Sequence, residues 1–350
     1  MKHVKLFEAF STISLTEDQI NWLDKCATGG WSLNPSTGLV DVDGDFDCYQ
    51  QGLKDFKGVA FGHVKVDFYC RRNQLTSLDG APQTVGGDFN CDYNQLTSLE
   101  EAPKTVGGDF NCSDNQLTSL VGAPETVNGN FLCDNNQLTS LEGAPETVKR
   151  YFSCNDNQLT SLVGSPQTVG GSFSCDKNQL TSLEGAPETV KRDFSCANNQ
   201  LTSLEGAPET VKGYFYCNYN QLTSLDGAPE TVGGDFYCSS NQLTSLEGAP
   251  QSVGESFYCT DNQLTSLNGA PKTVNRSFYC DSNPISEETL ESIFKLMKKG
   301  KSYQQALTEF WPKMSNEDRT LMYKDHISLT PEEIRKYQAL GTVNRIKNYL

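Results

Sequence analysis

Residues 85–103 read VGGDFNCDYNQLTSLEEAP, and close copies of this stretch follow one another along most of the chain. The run Asn-Gln-Leu-Thr-Ser-Leu occurs ten times unchanged, and eleven cysteines return every 21 residues. A fixed period of this length indicates a solenoid, in which each repeat buries its apolar side against its neighbours. The periodic cysteines are Cys70, Cys91, Cys112, Cys133, Cys154, Cys175, Cys196, Cys217, Cys238, Cys259 and Cys280.

The apolar positions of the repeat predict what lies inside the solenoid. Phe89 and Cys91 are two residues apart, so on a strand both side chains point to the same side. Because phenylalanine is apolar, that side is the interior, and cysteine lies there as a small hydrophobic residue. Leu96 and Leu99 extend the interior, and Asn94 is expected to hydrogen-bond the backbone of adjacent turns.

Recognisable repeats run from Val42 to Asn283, which gives about twelve rungs. The open ends of a solenoid need caps, and Thr16 can N-cap a helix predicted at about 17–27. Helical periodicity returns from Ser286 onward, as an extended cap or a separate docking module. We therefore predict an α/β solenoid with an N-terminal cap and short helix at 1–41, a parallel β stack at 42–283, and a helical cap or domain at 284–350.

The repeat also matches a known pattern. Phe89, Cys91, Asn94, Leu96 and Leu99 fall on L-x-L-x-x-N-x-L-x-x-L, with Phe and Cys in two of the Leu positions. The repeat therefore resembles the short bacterial leucine-rich repeats of YopM and IpaH effectors, with one extra residue and a glycine-rich approach to the strand. This resemblance implies a scaffold that binds a partner. The IpaH likeness implies a ubiquitin-ligase domain after the repeats, but residues 284–350 contain no cysteine nucleophile.

Thirteen cysteines in a small secreted protein would indicate disulfide bonds. Here stacked strands lie about 4.8 Å apart, whereas the Cβ atoms of a disulfide lie about 3.8 Å apart and face each other. The cysteine ladder is therefore predicted to be reduced and buried, which favours a reducing, cytoplasmic compartment. A line of thiols also lacks the tetrahedral clustering that structural zinc needs.

The net charge of −16 limits the possible partners. Most of it lies before residue 284, since residues 1–283 hold 35 acidic and 17 basic side chains. An acidic array repels phosphate backbones, so a basic protein segment or a cation is expected rather than nucleic acid, unless the charge serves only solubility. No run of about 18 apolar residues predicts a membrane span, and the N-terminus lacks the apolar stretch of a secretory signal.

The residues that flank Phe and Cys vary between repeats and are predicted to line the concave, binding face of the array. Over the eleven rungs from Cys70 to Cys280 they include twelve aspartates against three basic residues, a net charge of −9. Tyrosine occupies one of these positions in four successive repeats, either to stabilise the sheet or to bind a partner. The predicted partner-binding residues are Tyr214, Tyr216, Tyr219, Tyr237, Tyr258, Tyr279, Asp193, Asp235 and Asp261.

The densest run of carboxylates is Asp41, Asp43, Asp45 and Asp47. On one strand all four would share a face, which makes them a secondary candidate for Ca²⁺. The chain has three histidines, and none recurs beside the thiols. No nucleophile–base pair or set of metal ligands is evident, so neither catalytic residues nor a cofactor is predicted.

Two functions remain open from the sequence. The first is a non-enzymatic protein-interaction scaffold in a reducing cytosol. The second is a structural or assembly component of a tailed-phage virion, because residues 1–10 resemble the capsid-targeting leaders of T-even-like phages. Those leaders are cut after Leu/Ile-x-Glu, and Leu6–Glu8 and Leu15–Glu17 both fit that pattern. In that case the protein would reside in the host cytosol or the virion.

Overall fold

The computed structural model describes residues 14–265, 269–280 and 282–284. Within them the chain forms one helix, α1 at Glu17–Cys26, and short strands numbered β1 to β25 in chain order. The strands build a parallel β-solenoid with a 21-residue period. Turns and extended chain, rather than helices, connect the strands, so within these residues α1 is the helical part of the predicted α/β class. The helical domain predicted at 284–350 lies outside the described residues apart from Pro284.

Each turn of the solenoid contributes one strand that begins at the repeated phenylalanine. These strands pair in register, Phe to Phe, and form a twelve-stranded parallel sheet, here called the Phe sheet. The twelve rungs agree with the number predicted. The strands are β3 (Phe46–Asp47), β5 (Phe68–Tyr69), β7 (Phe89–Asn90), β9 (Phe110–Asn111), β11 (Phe131–Leu132), β13 (Phe152–Ser153), β15 (Phe173–Ser174), β17 (Phe194–Ser195), β19 (Phe215–Tyr216), β21 (Phe236–Tyr237), β23 (Phe257–Tyr258) and β25 (Phe278–Tyr279).

A second strand per turn, which the sequence analysis did not predict, lies at the Thr-Val pair. Valine points inward and threonine outward, and the strands form a thirteen-stranded sheet, here called the Val sheet. Its first pair, β1 and β2, is antiparallel. The strands are β1 (Trp31–Leu33), β2 (Val40–Val42), β4 (Phe61–Val64), β6 (Thr84–Val85), β8 (Thr105–Val106), β10 (Thr126–Val127), β12 (Thr147–Val148), β14 (Thr168–Val169), β16 (Thr189–Val190), β18 (Thr210–Val211), β20 (Thr231–Val232), β22 (Ser252–Val253) and β24 (Thr273–Val274).

The interior consists of ladders of identical side chains. The phenylalanines stack from Phe46 to Phe278, with neighbouring ring centroids 5.0–5.6 Å apart. All thirteen cysteines are free and buried, which confirms that they are interior residues. Each thiol from Cys70 to Cys259 donates to a carbonyl oxygen of the next rung, as from Cys133 Sγ to the Ser153 oxygen at 3.2 Å.

The repeated asparagine ties consecutive rungs together, as predicted. Asn157 Oδ1 accepts a hydrogen bond from the Leu138 backbone N–H at 3.0 Å. Its Nδ2 donates to the carbonyl oxygens of Cys133 at 3.0 Å and Cys154 at 3.1 Å. One buried side chain therefore satisfies backbone groups of two rungs where the chain turns and has no ladder partner.

Helix α1 covers the first rung. Thr16 and Gln19 form a capping box, with the Thr16 Oγ1 accepting from the Gln19 N–H and the Gln19 side chain accepting in return. On the buried side of the helix, the Trp22 ring contacts Phe46 edge-on at 5.2 Å between centroids. Trp22 Nε1 donates to Gln51, the residue that replaces asparagine in this rung. The cap thereby covers the apolar end of the array.

Candidate functional site

The variable residues of the repeat lie on the outer side of the Phe sheet. We call the Phe-sheet face the set of side chains immediately before Phe, between Phe and Cys, and at the first two positions after Cys. The second position after Cys has a left-handed backbone in all twelve rungs, with φ between 51° and 57°. None of these twelve residues is glycine, although glycine adopts this conformation at the lowest cost. A varied side chain is therefore retained at each corner of this face.

Tyrosines form a continuous stack at the C-terminal end of the Phe-sheet face. Tyr216, Tyr237, Tyr258 and Tyr279 lie on neighbouring strands, with successive ring centroids 4.7, 4.3 and 4.5 Å apart and the planes within 10° of parallel. The rings within the stack cover each other's faces, so the stack presents ring edges and hydroxyl groups. This arrangement fits both predicted roles of the column, because stacked rings also stabilise the sheet.

The other predicted tyrosines border this stack. Tyr214, on the rung of Tyr216, is 36% exposed and has its ring 6.1 Å from that of Tyr216 at a tilt of 53°. Tyr219 lies at the left-handed corner of the same rung and is 58% exposed. Asp261 occupies the same corner position two rungs later and is also exposed. The structure thus brings the tyrosines together, with Asp261 at the edge.

Asp193 and Asp235 accept hydrogen bonds from the backbone as well as facing outward. Asp193 Oδ1 accepts from the Tyr214 N–H at 2.9 Å, and Asp235 Oδ1 accepts from the Ser256 N–H at 2.6 Å. A Cβ at Gly213 would lie 2.1 Å from the Asp193 carboxylate, so the glycine before Tyr214 makes room for it. The acidity of this column is therefore partly structural, which the sequence did not reveal.

Two aspartates in the middle of the Phe-sheet face are partly buried, and each accepts a hydrogen bond from a serine of the next rung. Ser153 donates to Asp134, and Ser195 donates to Asp176. Burial raises the pKa of both carboxyl groups above the ordinary aspartate value, against the opposing effect of the serine hydrogen bonds. The sequence analysis counted these aspartates but did not single them out, because their contacts come from neighbouring rungs.

The four N-terminal aspartates do not lie on one strand. Asp41 is on β2 of the Val sheet and Asp47 on β3 of the Phe sheet, with the chain turning between them. Asp41 and Asp47 each accept a hydrogen bond from a nearby backbone N–H. Among residues 14–265, 269–280 and 282–284, no group of three or more His, Cys, Asp or Glu side chains is placed to hold a metal ion. The expectation of four carboxylates on one face is therefore wrong.

The buried thiols are poor nucleophiles. Burial raises the pKa of the ladder cysteines, as for Cys154 and Cys175, so the nucleophilic thiolate is disfavoured. In the part of the chain that the structure describes, no helix is long and apolar enough to cross a membrane.

Basic residues collect on a different side of the solenoid, at the corner that follows the Val strands. The sequence analysis missed this row because it is interrupted by glycines in other rungs. The row can be recognised only when the second strand is known, because its members lie one and two residues after the inward valine of that strand. The exposed basic members of this row are Lys65, Lys149, Arg150, Lys191, Arg192, Lys212 and Arg276.

Comparisons with known proteins bear on the fold. No protein-family model matches the sequence, and no curated protein matches it. Among solved structures, YopM, a leucine-rich effector protein from Yersinia pestis, superposes with a TM-score of 0.52 at 22% identity, over 68% of this chain and 66% of that chain. The fold is that of a leucine-rich repeat protein. YopM from Yersinia enterocolitica has a TM-score of 0.43 at 18% identity, over 69% of this chain and 65% of that one.

This chain therefore spans just under two thirds of the length of both YopM structures. The sequence-based resemblance to the YopM type of repeat is confirmed at the level of the fold.

Proposed function

We propose that the protein is a non-enzymatic scaffold that binds a basic segment of another protein on the Phe-sheet face. The observation that carries the proposal is the tyrosine stack from Tyr216 to Tyr279, bordered by carboxylates, on an array whose interior is nearly constant. Tyrosine combines a large contact area with a polar tip and few rotatable bonds, which suits an interface.

The distribution of charge supports a basic partner. Asp235 accepts a hydrogen bond from the Tyr237 hydroxyl at 2.9 Å, so carboxylate and ring edge form one surface. Burial, followed by this carboxylate, raises the pKa of Tyr237, so the phenol stays neutral and can donate. Positive charge on the solenoid is concentrated at the other corner, around Lys191 and Arg192, and a basic segment would be attracted to the Phe-sheet face.

The absence of catalytic chemistry in the described residues supports a binding role. The thiols are buried with raised pKa values, and His63, the one histidine among these residues, hydrogen-bonds Thr84 rather than a nucleophile. Leucine-rich repeat folds serve many partners, so the fold by itself does not name one.

The proposal is tested with the full chain and a lysine-rich peptide. Tyr237→Ser combined with Tyr258→Ser should weaken binding about tenfold or more, because it removes two aromatic contacts. Serine already occupies this position in the rungs of Ser174 and Ser195, so the fold should tolerate it. The matched control replaces Thr210 and Thr231 by Ala on the Val sheet and should leave binding unchanged.

Two outcomes would contradict the scaffold proposal. One is the absence of any binding to basic peptides at low salt. The other is an equal loss of affinity in the Tyr variant and in the Val-sheet control. The melting temperature of both variants is recorded alongside, so that a loss of folding is not read as a loss of binding.

The alternative is an assembly component of a virion whose N-terminus is trimmed. Residues 1–13, with the first cleavage motif, lie outside the described residues. The second motif, Leu15–Glu17, coincides with the start of α1, and cutting there would remove the capping residue Thr16 at a cost of about 1 kcal/mol. Mass spectrometry of protein from its native source tests this, since a mature chain starting at Asp18 would favour the assembly role.

A further inference from the structure

The tyrosine stack ends at Tyr216, and we call the boundary between Ser195 and Tyr216 the step. Within the stack each ring covers the face of the next, but Tyr216 is paired in register with Ser195 on its other side. A serine side chain is too short to cover a phenol ring. The face of Tyr216 that points toward Ser195 therefore has no stacked ring against it in the described part of the chain.

Two carboxylates flank this step. Asp193 lies on the rung of Ser195, and Asp176 reaches that rung from the one before, accepting hydrogen bonds from Ser195 Oγ and the Ala197 N–H. Both aspartates raise the pKa of Tyr216, after the larger effect of burial, so their charges lie near its ring. Asp176 uses Oδ1 for both bonds, and none of the described residues donates to its Oδ2.

The chain itself shows which group fits between tyrosine and aspartate on this face. At the N-terminal end, the Arg71 guanidinium lies 4.9 Å from the ring centroid of Tyr49 and 5.9 Å from that of Tyr69. The same guanidinium lowers the pKa of Asp92, against the larger opposing effect of burial. A neighbouring pair repeats the arrangement, with Arg72 4.7 Å from the Tyr93 ring centroid.

The step at Tyr216 has the aromatic ring and the carboxylates without the arginine. The two positions after Cys hold Ala197 and Asn198 in the preceding rung, where Arg71 and Arg72 stand near the N-terminus. Lys177, two rungs before Tyr216, is 3.2 Å from Asp156 and belongs to that pair. In the described part of the chain no cation lies over the ring of Tyr216, so the group that completes the arrangement is left for a partner to supply.

We propose that the step between Ser195 and Tyr216 is a subsite for an arginine side chain of the bound partner, a proposal that rests on the proposed function. The guanidinium stacks on the open face of Tyr216 and donates a charge-assisted hydrogen bond to Asp176 Oδ2. Arginine is favoured over lysine because its planar, weakly hydrated group both stacks and donates, whereas an ammonium group is compact and strongly hydrated.

The test compares two peptides on the full chain at low salt: five lysines, and the same peptide with a central arginine. The arginine peptide should bind about tenfold more tightly, from one added stacking and ion-pair contact. Ser195→Tyr extends the stack by one ring and covers the open face. It should abolish the arginine preference, and because it also removes the hydrogen bond from Ser195 Oγ to Asp176, the melting temperature is recorded alongside.

A second pair of variants isolates the carboxylate. Asp176→Asn should reduce the arginine preference and keep the fold, because Asn155 already accepts the equivalent bonds from Ser174 and the Asp176 N–H. Asp134→Asn is the matched control, since Asp134 accepts the same kinds of bonds two rungs away from Asp176. It removes the same charge and should leave the arginine preference intact.

The outcomes separate the two proposals. If neither peptide binds, the proposed function is contradicted together with the subsite. If both peptides bind equally, or if the arginine preference survives in Ser195→Tyr, the subsite is wrong and the broader scaffold role stands. An equal effect of Asp134→Asn and Asp176→Asn would also overturn the subsite, because it would show a diffuse charge effect.

Discussion

The asparagine of each repeat joins more backbone groups than any other side chain of the array. Asn157 accepts one hydrogen bond and donates to the oxygens of Cys133, Cys154 and Asn155. Since the site is buried, water cannot replace these bonds without opening the rungs. This residue type could be assigned its role from the sequence, because a polar residue repeated without change inside apolar ladders must satisfy the backbone.

Replacing this asparagine should therefore be costly. Asn157→Ala leaves a buried N–H and several carbonyl oxygens without partners, and we expect a loss of about 2–4 kcal/mol in the free energy of unfolding. Chemical denaturation measures it. The adjacent Gln158→Ala, at an exposed position, should change stability by less than about 0.5 kcal/mol. Equal effects of the two substitutions would contradict the role assigned to the asparagine.

The cysteines should be reactive only when the solenoid opens. Burial and a raised pKa protect the ladder thiols and Cys26 alike, but Cys26 lies in the cap helix, where its sulfur accepts from Gln51 Nε2 at 3.1 Å. With a thiol-reactive dye, the native chain should be modified slowly and at Cys26 first, and thirteen thiols should react in denaturant. Rapid modification of several thiols in native protein would contradict this.

The sequence predicted one of the two strands of each turn but not the other. Phe-x-Cys predicted a strand because two apolar residues alternate with an outward residue. Thr-Val is only two residues long, as in β14 (Thr168–Val169), which is too short to establish a period. It becomes a strand because nine Thr-Val pairs and one Ser-Val pair lie side by side, next to the three N-terminal strands of the Val sheet. The hydrogen bonds between aspartate and backbone at the glycine-containing corner between the two sheets could not be predicted either, because they connect residues of neighbouring rungs.

The phenylalanine stack supplies much of the packing between neighbouring strands. Phe173 on β15 lies between Phe152 and Phe194, with both centroid distances 5.4 Å, and is fully buried. Phe173→Ala should lower the free energy of unfolding by about 3–5 kcal/mol, because the two flanking rings cannot close the gap. Equilibrium denaturation tests this, with the exposed Thr181→Ala in the same turn as control. A change under about 1 kcal/mol would contradict the packing argument.

For the whole molecule, uncompensated negative charge should make stability depend on pH. Burial raises the pKa of Asp134 and Asp176 above the ordinary value of 3.8. The folded state then holds these protons more tightly than the unfolded state does. Stability should therefore rise as the pH falls from neutrality through the raised pKa values, and this gain should be complete near pH 3.8.

Urea denaturation between about pH 7 and pH 4 measures this trend. The double variant Asp134→Asn with Asp176→Asn should flatten this trend and be more stable than the parent at neutral pH, since the side chain of Asn155 already accepts the equivalent bonds. The prediction fails if the parent loses stability steadily as the pH falls over this range.

The regular repetition of the left-handed corners bears on how the number of repeats can change in evolution. From the rung of Cys70 to the rung of Cys259, each rung repeats the same corner, the same asparagine bonds and the same register of the Phe sheet, so a cut after one of these rungs and a cut after another leave matching ends. Unequal recombination between repeats can therefore lengthen or shorten the array by whole rungs without disturbing a single interior contact. Such an event would shift the distance between the arginine pair at the N-terminal end and the tyrosines at the other, so the spacing of recognition features along the array can evolve separately from their chemistry.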